Sequence, residues 1–268
     1  MIDYGKYSIL GVRIDAVDYE AAVEKIVWAA RDSRPMAVSA MCVHVVMTGV
    51  LDRVHRFRLN EFEMSTPDGQ PVRWALRWLH GVRLPNRVYG PELMLKVCQR
   101  AADEQLPVFF FGGTAETLAA LTENLSSRFP RLPIAGTRCS KFRRLSPDES
   151  QETIAAIRGS GAAITFVGLG CPRQEVWAFE HRSALSMPVV AVGGAFNIHA
   201  KQVPQAPHFL QDHGLEWAYR LSHEPGRLWK RYLLLNPLYL ACLLLQATGL
   251  KRFDPNSGFP PSEEVSYG

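Results

Sequence analysis

Between residues 107 and 192, short continuous apolar runs alternate with longer stretches whose apolar positions recur at helical spacing. Residues 107–111 form an apolar run of strand length ending in Gly112-Gly113-Thr114, and helical periodicity takes over at once across 115–129. The pattern then recurs: 151–158 predicts a helix, 163–167 a buried strand, Gly168-Leu169-Gly170-Cys171-Pro172 a turn, and 173–185 a helix. Residues 188–192 make a further strand, ending in Gly193-Gly194. Upstream, 37–46 is apolar and partly β-branched and reads as strand-like, whereas 93–105 has helical spacing. Strands that alternate with helices and end in glycine turns predict an α/β fold, a doubly wound Rossmann-like sheet. No short sequence repeat accompanies the alternation.

Past residue 212 the pattern changes, which divides the chain into an α/β core over 1–212, a basic and apolar helical appendage over 213–252, and a tail over 253–268. The tail is rich in Pro, Ser, Gly and Glu and is expected to be disordered. If 214–235 is helical, Arg220, Arg227 and Arg231 share one face beside Trp217, Leu221, Leu228 and Tyr232. Pro225 marks a break or a new first turn, which would place the arginines on two short helices. Basic residues interleaved with aromatics suit an anionic ligand at a membrane surface, set against the plainer alternative of a solvated helix face. Residues 232–250 approach the ~20 apolar residues that a bilayer span requires. Asn236-Pro237 and Gln246 interrupt that run, and Lys230-Arg231 and Lys251-Arg252 flank it. Peripheral attachment is therefore the first expectation, a buried core helix the second and a span the third.

Composition narrows the partners. With 268 residues, 47% of them hydrophobic, the chain can bury a sizeable core. A net charge of +4 is too mild to argue for nucleic acid, and base-stacking motifs are absent; the basic excess is local, around residues 73–87 and 220–231. The five cysteines form no CxxC pair and are odd in number, so neither a disulfide framework nor a thiolate zinc motif is indicated, and a reducing cytosol fits. Polar and charged residues between Asp3 and Lys6 argue against a secretory signal.

Two places carry candidate chemistry. Glycines at strand ends let backbone N–H groups approach an anion, so a nucleotide diphosphate fits there. Gly168-Leu169-Gly170 continues into Cys-Pro, however, and lacks the third glycine of a dinucleotide fingerprint, which leaves nucleotide binding and tight-turn packing evenly matched. Thr66-Pro67-Asp68-Gly69-Gln70-Pro71 is the second place. As an isolated turn, its carboxylate would cap backbone amides; set just before an apparent helix start at Val72, it can instead be exposed for base chemistry.

Taken in order, several segments resemble the bacterial WecG/TagA/CpsF glycosyltransferases, family 26 of that enzyme class. They are Thr66-Pro67-Asp68-Gly69, Arg87-Val88-Tyr89-Gly90-Pro91-Glu92, Phe109-Phe110-Phe111-Gly112-Gly113, Val167-Gly168-Leu169-Gly170-Cys171-Pro172-Arg173-Gln174-Glu175 and the arginine-rich stretch from Glu216. The resemblance implies an inverting, metal-independent hexosyl or N-acetylhexosaminyl transfer without a cofactor. The donor would be a UDP-sugar and the acceptor a polyprenyl-diphosphate-linked saccharide, in exopolysaccharide, capsule or cell-wall polymer synthesis. The enzyme would be cytoplasmic and peripheral on the inner membrane face; its oligomeric state is open, a homo-oligomer included.

By the same resemblance Asp68 is the base and Gln174 and Asn197 lie with the donor, beside Gly112, Gly113, Gly168 and Gly170, the strand-end glycines that the fold pattern offers to it. Arg220, Arg227, Lys230 and Arg231 meet the acceptor or its diphosphate. No metal-binding Asp-x-Asp motif occurs in the chain. Ala40 and Cys42 replace a Thr and an Asn of the family pattern, with His44 close by; Asn197 replaces an aspartate, and Lys201 stands where a glycine is common. Two rival readings are another nucleotide-dependent α/β enzyme, such as a dehydrogenase, and a non-catalytic membrane-associated scaffold of a polysaccharide assembly complex.

Overall fold

A computed structural model describes residues 1–268, apart from the side chains of Arg227 and Arg231. The chain opens with an antiparallel hairpin of β1 (Asp3–Ile9) and β2 (Val12–Val17), turned by Leu10 and Gly11, both at positive φ. Helix α1 (Tyr19–Arg31) follows, its N-terminus capped by the Asp18 carboxylate, which accepts from Ala21 N–H. Then come β3 (Met36–Met41), α2 (Val43–Leu51), α3 (Arg53–Asn60), β4 (Met64–Pro67), α4 (Gln70–His80), α5 (Gly90–Asp103), β5 (Val108–Gly112) and α6 (Ala115–Arg128). The core continues with β6 (Ile134–Arg138), α7 (Pro147–Gly159), β7 (Ile164–Gly168), α8 (Arg173–Leu185), β8 (Pro188–Ala191) and α9 (Ala195–His199). Three helices close the sequence of elements: α10 (His208–Asp212), α11 (Glu216–His223) and α12 (Pro225–Ala247).

Strands β3 to β8 form one parallel sheet in the order β4-β3-β8-β7-β5-β6. Side chains alternate across the pleat, and the two faces feed two separate cores. Val38, Phe110, Phe166 and Val190 pack with α1, α5, α6 and α9. Ala37, Phe109, Phe111, Val167 and Val189 pack with α2, α4, α8 and α12. Helices on both faces explain why the strands read as continuous apolar runs rather than as alternating ones. From β3 the chain steps outward to β4; from β5 it steps outward to β6 on the other edge. Strands β7 and β8 then fill the middle. This reversal leaves a crevice beyond the carboxyl ends of β3, β8 and β7.

Three expectations change. The apolar run 37–46 is a strand only to Met41; Cys42, in extended conformation, precedes α2, whose Val45, Val46 and Met47 are buried. An apolar stretch covered on all sides hides its period, so strand and helix read alike. Helix α7 starts at Pro147, four residues before 151, because Ser146 and Glu149 form a capping box ahead of the apolar periodicity. Finally, the tail 253–268 has no helix or strand but is held by named contacts rather than disordered. Asn60 Nδ2 donates to Pro255 O at 2.8 Å and Arg53 Nε to Ser257 O at 2.8 Å, while the Glu180 carboxylate accepts Val265 N–H at 2.9 Å and Ser266 N–H at 3.1 Å. Side chains of the core thus satisfy the tail's backbone, and Phe253 and Tyr267 pack against the core.

At the C-terminus, Pro225 does start a new helix, but α12 is one 23-residue element rather than a short one. It is amphipathic. Leu228, Tyr239, Cys242 and Leu243 are buried, and Tyr239 Oη donates to Pro71 O at 3.1 Å. Leu233, Leu234, Leu240 and Leu244 are exposed, each by more than half. Among the described residues no helix is long and apolar enough to cross a membrane.

Candidate functional site

A cleft of about 730 Å³ occupies the crevice above the sheet, its floor made by the ends of β3, β4, β7 and β8 and one wall by α11 and by Tyr232, Leu235 and Asn236 of α12. Asp68 sits on the floor. Strand β4 ends at Pro67 and helix α4 starts at Gln70, so Asp68 occupies the connection, followed by Gly69 at φ +89°, a conformation that glycine tolerates best. Its Oδ2 accepts the N–H of Gly90, the first residue of α5, at 3.3 Å. A Cβ on Gly90 would stand 3.2 Å from the Ala40 Cβ and 3.5 Å from Asp68 Oδ2, so a glycine there is what lets the helix start approach the carboxylate. Burial pushes the Asp68 pKa up to about 6; the nearby Glu216 charge adds to the rise, and Arg87 and the Gly90 N–H oppose it. Such a carboxylate is largely ionised at neutral pH yet far more basic than an exposed one, as suits a general base.

The glycines divide by what they do. Gly113 (φ +69°), Gly168 and Gly170 (φ +78°) line the cleft. Gly112 does not: a Cβ there would lie 2.6 Å from the carbonyl carbon of Gly168, so it is a packing glycine between β5 and β7 rather than a donor contact. Gln174 reaches the cleft but spends its amide on the protein. Its Oε1 accepts Gly170 N–H at 3.1 Å and its Nε2 donates to Glu175 Oε1 at 2.8 Å, so it shapes the loop from within. Asn197, on α9, faces the cleft, as do Ala40, Cys42 and His44.

Of the C-terminal cations, Arg220 enters the cleft from α11, its Nη2 lying 3.4 Å from where a Cβ on Gly194 would be. Its Nε is buried without a hydrogen-bond partner. A guanidinium N–H left unsatisfied at a cleft wall is a donor waiting for an anion. Lys230 is exposed, its ammonium 5.5 Å from the centre of the Trp229 ring, and does not line the cleft. The cleft meets only one face of α12, that of Tyr232, Leu235 and Asn236, and Lys230 lies off it. The side chains of Arg227 and Arg231 lie outside the described residues.

Sequence reasoning assigned no role to Arg87 and Glu216, which form a buried ion pair at 2.6 Å. Arg87 also donates to Gln211 Oε1 at 2.9 Å and lies over the Tyr89 ring, so one guanidinium joins the edge of the Asp68 site to α10 and α11. An arginine directly before the apolar Val88-Tyr89 pair was the available signal. Asn236, which looked like a mere interruption of an apolar run, also lines the cleft.

A carboxylate of raised pKa, a glycine-lined wall and a guanidinium whose Nε has no hydrogen-bond partner thus meet at the switch point of a parallel sheet. The glycosyl transferase WecG/TagA/CpsF family model matches residues 7–253, a span that takes in every one of these groups, and the chain belongs to that family.

Proposed function

We propose that this glycosyltransferase of cell-wall or polysaccharide synthesis moves a sugar from a UDP-sugar, with inversion, to a hydroxyl of a polyprenyl-diphosphate-linked saccharide. The observation that carries the reading is the placement of Asp68 and Arg220 on one cleft, a base of raised pKa and a cation whose Nε lacks a partner. Asp68 accepts the proton of the acceptor hydroxyl as its oxygen attacks the anomeric carbon, and the UDP diphosphate leaves from the opposite side. Arg220 and the amides around Gly113, Gly168 and Gly170 offset the charge that develops on the diphosphate, so the transfer needs no metal at the reacting centre. Asn197 lies with the donor, and Gln174 keeps the Gly170 turn in shape.

The outer face of α12 fits attachment to the inner membrane face. Leu234 and Leu244 are 63% and 64% exposed, and Trp229 and Lys230 stand on the same element. Aromatic and basic residues beside such leucines suit the headgroup boundary. Attachment by that face would bring the cleft within reach of a lipid-linked diphosphate.

The direct test follows transfer of labelled sugar from a panel of UDP-sugars to lipid-linked acceptors, with Asp68→Asn as the decisive variant. Loss of transfer with UDP binding retained supports the assignment; near-normal turnover removes Asp68 as base. A scaffold predicts no turnover with any donor, and a dehydrogenase predicts thermal protection by a nicotinamide cofactor rather than by UDP.

A further inference from the structure

Behind the glycine turn, three side chains from separate parts of the chain converge: His55 of α3, Cys171 of the turn, and Glu175 of α8. Their ligand atoms all lie within 4.8 Å of one another. The His55 and Glu175 side chains are nearly or wholly buried, at 3% and 0% exposure. His55 Nε2 has no hydrogen-bond partner, and Glu175 Oε2 has none besides the adjoining Cys171 thiol, which hydrogen-bonds the carboxylate. The other carboxylate oxygen of Glu175 is held by Ser39 Oγ at 3.1 Å and by Gln174 Nε2 at 2.8 Å, which fixes the direction of Oε2. A buried imidazole nitrogen with no partner, next to a buried carboxyl oxygen served by no more than a thiol, is an unfavourable arrangement in an interior of this packing.

We propose that His55, Cys171 and Glu175 bind a zinc ion that braces the glycine turn against α3. An imidazole nitrogen, a thiolate and a carboxylate oxygen are a donor set for zinc; magnesium and calcium favour oxygen alone. Tetrahedral zinc with bonds of ~2.0–2.3 Å brings its ligand atoms to within roughly 3.3–3.8 Å of one another, so the set closes by a side-chain adjustment of about 1 Å. Three protein ligands leave a fourth position for water. No CxxC spacing betrays the site because its ligands sit at 55, 171 and 175 and meet only in the fold. The ion would lie outside the reaction itself: Gln174 ties Glu175 to Gly170, so metal bound at Glu175 stiffens the donor wall through a chain of contacts.

The test is metal content, which does not depend on what the donor is. The full chain, free of any histidine tag, is purified, stripped with a chelator, and titrated with buffered Zn²⁺ and then Co²⁺, with elemental analysis of the gel-filtered protein. The expected result is about one zinc per chain, not displaced by Mg²⁺ or Ca²⁺, and a thiolate-to-cobalt charge-transfer band. Cys171→Ser should remove the band and weaken zinc binding, with His55→Ala behaving likewise if it folds. Cys171 lies on a turn, so its serine variant carries the comparison even if the α3 variant unfolds. A wild-type chain that takes up no zinc at micromolar concentration overturns the proposal, as does uptake left unchanged by Cys171→Ser.

Discussion

Asp68 and Arg220 face one cleft from two regions built on different terms. The floor belongs to the parallel sheet, where Asp68 is fixed between β3, β4 and the start of α5 by backbone geometry and close-packed glycines. The arm of α11 and α12 is held to the core by one face of α12, by Tyr239 on Pro71, and by the buried Arg87–Glu216 pair. The floor sets the chemistry through desolvation, and the arm brings charge to it. A region made of sheet backbone resists adjustment, whereas one held by an ion pair and a helix face can be detached by single substitutions. The two should therefore fail differently when broken.

Breaking the floor has the largest effect. Asp68→Asn should lower transfer by about 10²–10⁴-fold, the usual contribution of a positioned general base, with UDP affinity little changed. In the wild type, kcat/KM should fall as pH drops through about 6, where Asp68 takes up a proton, and level off above it. The sign for stability is the reverse of that for activity. Folding raises this pKa above 3.8, so the ionised carboxylate costs the folded state free energy that is fully present above the folded pKa and vanishes below the unfolded one. Asn should thus stabilise the protein at neutral pH by about 1–2 kcal/mol, visible as a higher Tm. An inactive variant with an unchanged or lower Tm would mean that Asp68 is not held at a desolvation cost.

Breaking the joint between the regions comes next. Glu216→Gln removes the ion-pair partner of Arg87 and leaves Asp68 as its nearby negative charge, so the cost should lie below the roughly 3–5 kcal/mol of a buried charge left wholly unpaired. The Glu216 charge also helps to raise the Asp68 pKa, so the acid limb of the pH profile should move below 6 in this variant. A loss of activity with the limb unmoved would show that α11 does not share a field with the floor.

A cut on the outer side of the arm should be smaller and confined to location. Leu234→Glu and Leu244→Glu alter exposed positions, so stability and turnover with a soluble acceptor analogue should stay within twofold, while vesicle binding should weaken by about tenfold per leucine. Equal vesicle binding by wild type and double variant would assign the leucine face to some other contact.

The same contrast separates what the sequence makes legible from what it hides. Strands β5, β7 and β8 end in glycine turns and could be read from periodicity alone, and with them the sheet and the cleft. Asp68 was visible because a turn-forming Pro-Asp-Gly abuts a helix start. The Arg87–Glu216 pair spans 129 residues, and no local pattern encodes a partner so far away. Gly112 and Gly168 look alike in sequence; only the meeting of β5 with β7 shows that the first packs against the backbone of the second. Lys230 and Arg220 share charge and neighbourhood, yet Arg220 enters the cleft from α11 whereas Lys230 sits on a face of α12 that does not line it.

The smallest expected effect concerns a substitution at the end of the floor. Lys201, where the family pattern has glycine, follows α9 at φ +58°, the left-handed region that a residue with a Cβ enters at a cost. Its N–H donates to Ile198 O at 3.0 Å, so the turn is held by the backbone and the exposed side chain is not what secures it. Lys201→Gly should therefore relieve strain in the folded state. Glycine also gives the unfolded chain more freedom, which offsets part of the gain, and the net should be a stabilisation of about 0.5 kcal/mol with kcat unchanged. Denaturant titration of the two proteins reads the difference as a shift in midpoint at constant m. A destabilised glycine variant would show that the Lys201 side chain has a role in the fold; a fall in kcat at equal stability would tie it to Asn197 and the donor wall.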